Sequence, residues 1–146
     1  HVSLVGSEMC IRDRLNNKRI RASKKTTLTN ALLSSTGHSD DSQDYIYKPL
    51  ETFKLLNTHD VTVRRSGCTA LDIAYCAAGR IDGFWGHGLK LWDRAAGLFI
   101  AQSAGCLIAD FKGNPDTFSS DNMIVATPKC FKDLSKCVVA GFQSKE

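Results

Sequence analysis

Apolar spacing along this chain switches repeatedly between a strand-like and a helix-like period, and that alternation constrains the fold more than any other feature. Val61-Thr62-Val63 is β-branched and reads as a strand. Behind it, Ala70, Leu71, Ile73, Ala74, Ala77 and Ala78 keep helical spacing up to Gly79, a natural helix stop. Ile81–Trp85 is the next candidate strand, followed by a Gly86-His87-Gly88 loop. Asp93–Ala104 repeats the helical spacing through Ala96, Leu98, Phe99 and Ile100 and ends near Gly105. Cys106–Phe111 and Asn122–Ala126 read as strands with a Lys112-Gly113-Asn114-Pro115 turn between them. Pro128 opens a last helix over Lys129–Ala140. Upstream, Lys18–Ala22 is strand-like after an Asn16-Asn17 turn, and Leu28–Thr36 reads as a buried strand. Asp44 is placed to cap a helix over Tyr45–Asn57, with Ile46, Leu50, Phe53, Leu55 and Leu56 facing inward. Pro49 is tolerated if that helix begins one turn later. Strands alternating with helices predict an α/β fold.

Bulk properties remove several classes of function. A length of 146 residues suits one domain. No apolar run approaches the roughly 18 residues of a membrane span. The net charge of +4 is scattered over Lys18, Arg19, Arg21, Lys24, Lys25, Arg64 and Arg65. Such a field would help an anionic ligand find a site, although a solvated surface explains the Lys18–Lys25 cluster equally well. A dense basic stripe with interleaved aromatics is missing, so nucleic-acid binding is not expected. The six cysteines form no CxxC pair and no histidine stands at zinc-ligand spacing, so a zinc site is not expected. Cys76 and Cys106 read as small core residues, and the pattern fits a reduced, cytoplasmic chain.

Three segments can carry chemistry. Asp93, after Trp92 and at the start of a small-residue helix, suits either an N-cap or a hard-cation ligand such as one for magnesium. Ser66-Gly67-Cys68-Thr69 lies at a strand-to-helix junction, where free amides attract phosphate and a glycine admits close approach; an ordinary capped turn is the other reading. His87 lies beside Gly86 and either faces a pocket or is a plain loop histidine.

Taken together, RRSGCTALDIAYCAAGRIDGFWGHGLKLWDRAAGLFIAQSAG resembles the inositol monophosphatase family. Gly67 through Phe84 follow the family's G-(S/T)-A-A-L-D-L-A segment and its G-R-x-D-G-(F/Y) continuation. Trp92 through Gly97 follow its W-D-x-A-A-G signature. LNNKRIRAS and SSDNMIVATP extend the likeness from about Leu15 to the end. The resemblance implies an αβαβα layered sandwich and lithium-sensitive, magnesium-dependent hydrolysis of a phosphate monoester such as inositol 1-phosphate. It implies that Asp93 is a ligand of the second magnesium ion and that Gly67, Cys68 and Thr69 line the substrate pocket. His87 is a further candidate there, and a homodimeric parent is implied. Two positions depart from the family. Gly86 stands where a glutamate usually contacts a sugar or inositol hydroxyl, which leaves room for nucleotide phosphates or fructose bisphosphate. Ser103-Ala104-Gly105-Cys106 replaces the usual E-A-G-G turn. Some bacterial relatives also serve in transcription antitermination, which makes an interaction protein the alternative class.

The family's Glu-Glu pair and Asp-Pro-(Ile/Leu)-Asp-Gly-Thr segment, which hold most of the metal, are not found in this chain. Asp40-Asp41 lacks the flanking Pro and Gly-Thr. Residues 15–146 are therefore expected to be the C-terminal portion of such an enzyme, an incomplete sandwich without phosphatase activity of its own. Leu4–Asp13 resembles a translated sequencing adapter, and residues 1–14 are expected to be foreign to the native chain.

Overall fold

The computed structural model describes residues 13–37 and 44–143, with residues 44–48 described in backbone only. The elements run β1 (Arg14–Leu15), β2 (Lys18–Arg19), β3 (Leu32–Gly37), α1 (Asp44–Asn57), β4 (Thr62–Arg64), α2 (Thr69–Ala77), β5 (Gly83–His87), α3 (Leu91–Ser103), β6 (Leu107–Ala109), β7 (Met123–Ala126) and α4 (Pro128–Gln143). β1 and β2 form a small antiparallel hairpin. Asn16 and Asn17 turn it with φ of 51° and 62°, the left-handed pair that a two-residue hairpin turn demands and asparagine tolerates. The other strands form one mixed sheet in the order β4-β3-β5-β7-β6.

The period-two alternation of β5 and β7 builds a core on each side of that sheet. Phe84, Met123 and Val125 face one way, into a buried cluster with Ile73 and Cys76 of α2 and Leu98 and Ala101 of α3. Trp85, Ile124 and Ala126 face the other way, among Leu56 of α1 and Leu134 and Val138 of α4. Both strands are covered on both faces and are buried along their whole length. The result is a three-layer stack, with α2 packed on α3 over one face and α1 packed on α4 over the other. An α/β layered sandwich was the expectation, and this arrangement meets it.

Local details differ from the sequence pattern where tertiary contacts decide. The Gly86-His87 segment, expected in a loop, belongs to β5. Gly86 is registered with Thr36 and Met123 on its two sides, and His87 with Gly37, so neighbouring backbones satisfy a segment of weak strand propensity. Leu50 is exposed, because α1 turns Thr52 and Leu56 inward instead. Leu71 is likewise exposed while Asp72 is buried. α1 begins at Asp44 and takes Pro49 inside the helix; the proposed cap rests on a side chain outside those described.

α1 and α4 approach closely at one point. A Cβ added to Gly141 would lie 2.2 Å from Thr52 Oγ1 and 2.7 Å from the Thr52 backbone nitrogen. Backbone cannot yield as a flexible side chain can, so Gly141→Ala must push the helices apart. Overpacking of this kind costs about 1–3 kcal/mol. A lower midpoint in urea unfolding is the expected result; an unchanged midpoint would refute the close packing.

Candidate functional site

Strand direction brings the candidate residues together. β3 is parallel to β4 and β5, and β7 is antiparallel to both β5 and β6, so β4, β5 and β6 all point the same way. α2 joins β4 to β5, and α3 joins β5 to β6. Each helix must therefore run back against the strands, and both helices start at the edge where β4 and β5 end. This carboxyl edge is where α/β sheets bind ligands. The register between the helices is fixed by Gly97 of α3, where an added Cβ would stand 2.8 Å from Cγ2 of Ile73 on α2. Thr69 and Asp93 each lie one helical turn before these contact residues, so the two first turns lie level with each other.

The loop entering α2 is ordered by a serine. Ser66 Oγ accepts the Cys68 N–H at 3.0 Å and donates to Oδ2 of buried Asp72 at 2.9 Å. Gly67 makes the turn with φ of +78°, and nothing lies within 4 Å of where its Cβ would stand. The backbone here is open to a ligand, and a side chain would both strain the turn and fill the opening. Cys68 is the N-cap of α2 in extended conformation, with no side chain capping the helix. Lys90 is the N-cap of α3, again without a side-chain cap. Two helix starts thus present amides to the same space, flanked by exposed Arg65 and Lys90. Uncapped amides, aligned dipoles and nearby cations all favour an anion.

Asp93 is the third residue of α3 and partly buried, so the N-cap reading does not hold for it. Its carboxylate stands in the first turn, on the side of the helix dipole that favours negative charge. Arg94 is a residue that sequence reasoning passed over. It is buried and donates to the carbonyl of Thr117 and, at 3.4 Å, to that of Phe118. Burial pulls its pKa below the usual guanidinium range. Its one sequence signal is a charge within the apolar stripe of Gly97, Leu98 and Ala101. Its effect is to tie the first turn of α3 to the loop before β7.

Comparison with known proteins fits this geometry to a family. The profile of the inositol monophosphatase family matches residues 7–143. The chain belongs to the inositol monophosphatase family. It is 40% identical over 121 residues to a Nus factor SuhB of Pseudomonas aeruginosa, covering 82% of this chain and 45% of that protein. The crystal structure of extragenic suppressor protein suhB from Bartonella henselae superposes with a TM-score of 0.77 at 31% identity, over 84% of this chain and 46% of the other. Inositol monophosphatase from Anabaena superposes at 0.74 with 29% identity, over 84% and 50% of the two chains. This chain spans about half the length of the curated relatives it matches.

Within the family frame, Gly67, Cys68, Thr69 and Asp93 gather at one edge, and His87 does not join them. His87 ends β5 on the opposite face of the sheet, buried, its ring 5.1 Å from that of Phe142 on α4. It packs over Gly37, where a Cβ would come within 2.1 Å of its ring. The strand's alternation is the reason: Gly86, not His87, turns toward the α2–α3 face. The fit to magnesium is incomplete. Among the described residues no group of three His, Cys, Asp or Glu side chains could hold a metal ion, and Asp93 supplies one carboxylate. The described residues at this edge do not by themselves assemble a metal centre.

Ser66 holds the loop in shape, so Ser66→Ala should release both the Cys68 amide and the Asp72 carboxylate. The expected loss is about 1 kcal/mol in stability, with faster hydrogen exchange at Cys68. Unchanged exchange at that amide would show that Ser66 does not order the loop.

Proposed function

We propose that this chain carries the phosphate-facing part of a magnesium-dependent phosphomonoesterase acting on inositol 1-phosphate or a similar sugar phosphate. The observation that carries the reading is the pairing of two uncapped helix starts, Cys68–Thr69 and Lys90–Asp93, at one sheet edge. Family membership supports the reaction class. In this reading the amides around Gly67, Cys68 and Thr69 hold the phosphate oxygens, and Asp93 offers one carboxylate oxygen to a magnesium ion. Gly86 places no carboxylate near the substrate's hydroxyls, so nucleotide phosphates and fructose bisphosphate remain within the substrate range. Among the described residues no helix is long and apolar enough to cross a membrane, and a cytoplasmic setting belongs to the same proposal.

The boundary at residue 15 is also part of this proposal. The adapter-like string Leu4–Asp13 supports it. Against it, the family match starts at residue 7, and Asp13 is bonded to Arg19 at 2.9 Å and to Arg21.

A single carboxylate cannot build a two-metal site, so the isolated chain is expected to be inactive. Residues 15–146 should release no phosphate from inositol 1-phosphate with magnesium present. Turnover comparable with that of a full-length relative would overturn this expectation.

The names of the relatives favour a second reading. Several are Nus factors, which supports a binding role in transcription antitermination. In a full-length version, Asp93→Asn should abolish phosphate release under either reading. Retained capture of the transcription machinery by that variant would favour the binding role; loss of capture along with catalysis would count against it.

A further inference from the structure

The loop between β6 and β7 rises at the same edge as the starts of α2 and α3. β6 points the same way as β5, and β7 runs back against both, so the connection at residues 110–122 falls where β5 ends. Most of this loop is held by its own short-range bonds. Asp110 Oδ1 accepts the Lys112 and Asn114 N–H groups, both at 2.8 Å, and Asp116 Oδ1 accepts the Phe118 N–H at 3.1 Å. Such local bonds give the loop a shape but do not fix it against α3.

Arg94 supplies that attachment. It follows Asp93 in the first turn of α3 and is 4% exposed. Its Nη1 donates to the Thr117 carbonyl, and its Nη2 to the Phe118 carbonyl at 3.4 Å. A planar guanidinium can meet two carbonyls one residue apart, a geometry that the point charge of lysine does not match. Among the described residues its acceptors are these backbone carbonyls, and no carboxylate forms an ion pair with it. A buried cation is costly unless it is hydrogen-bonded. Lifting the loop would strip away both acceptors, so the charge itself resists that motion. The far end of the loop is tied as well. The Leu89 N–H, in the link from β5 to α3, donates to the Asp121 carbonyl at 2.7 Å.

We infer that Arg94 is a positioning residue of the candidate site. It clamps the Thr117–Asp121 loop against the first turn of α3. The clamp sets where the Leu91 and Trp92 amides and the Asp93 carboxylate stand relative to Gly67–Thr69. This role rests on the reading of the edge as the phosphate-facing part of the site. Arg94 acts through its neighbours, since it is buried beneath the loop and its bonds go to the loop's backbone.

The test compares the full 146-residue chain with Arg94→Lys and Phe118→Ala by NMR, following amide exchange and a titration with inorganic phosphate. Phe118→Ala removes the ring that stands 6.0 Å from Phe99 but keeps the carbonyl that Arg94 binds. In Arg94→Lys the Leu89 amide should exchange about tenfold faster, because the loop that covers it is released. Phosphate should still move the Gly67–Thr69 amides of that variant but no longer those of Leu91 and Trp92, with weaker overall affinity. Phe118→Ala should match the unaltered chain in both respects. Unchanged Leu89 exchange in Arg94→Lys would overturn the inference, as would an equal loss in Phe118→Ala. If phosphate moves no amide of the unaltered chain, the phosphate reading fails, and Leu89 exchange still decides whether Arg94 clamps the loop. Should Arg94→Lys not fold, the unaltered chain decides: separate, slowly exchanging Arg94 Nη signals are expected, and one averaged signal would refute the clamp.

Discussion

Asp82 ties the central strands together at their starts, and the rest of the fold takes its register from that knot. Its carboxylate accepts the Leu32 N–H at 2.8 Å and the Ser23 hydroxyl at 2.5 Å. Its own N–H donates to the Leu32 carbonyl at 2.7 Å, and its carbonyl accepts the Thr127 N–H at 3.0 Å. One residue therefore joins the beginnings of β3 and β5 to the end of β7. Each bond contributes only about 1 kcal/mol net, but together they fix which side chains of β5 face which layer. A shift of one residue would move Phe84 and Trp85 to the wrong cores and reverse every inward choice along the strand.

The two crossovers follow from that register. With β5 set between β3 and β7, α2 and α3 must both return against the strands, and their starts fall at one edge. Glycines then set the spacing. Gly97 lets α3 settle against Ile73, and at Gly79 an added Cβ would stand 2.8 Å from the Arg21 carbonyl oxygen and clash. The candidate site is thus a product of packing. Its amides are presented by helices whose positions are decided by apolar contacts well below them.

The site so formed is one-sided. Ser66, Gly67 and the start of α2 present uncapped backbone, Asp93 brings a carboxylate, and exposed Arg65 and Lys90 flank them. Exposed Leu91 and Trp92, the latter 79% exposed, stand beside Asp93 at the same edge. Such side chains expose considerable apolar area to water.

Much of this was legible from residue patterns. The Asn16-Asn17 turn, the helix closed by Gly79 and the helix opened by Pro128 are local effects, governed by φ preferences and missing donors that a sequence displays directly. The family signatures around Gly67–Thr69 and Trp92-Asp93 were legible too, since each is contiguous in the sequence. Orientation was not legible. Whether His87 faced the α2–α3 side or Phe142 depended on β5 extending two residues further, which neighbouring strands decided. Lys90 rather than Asp93 became the N-cap because the preceding strand and loop fixed where α3 could begin. The sequence by itself determined the elements and their chemistry; the tertiary structure decided which of them meet, because strand pairing and helix packing act between residues that the chain keeps far apart.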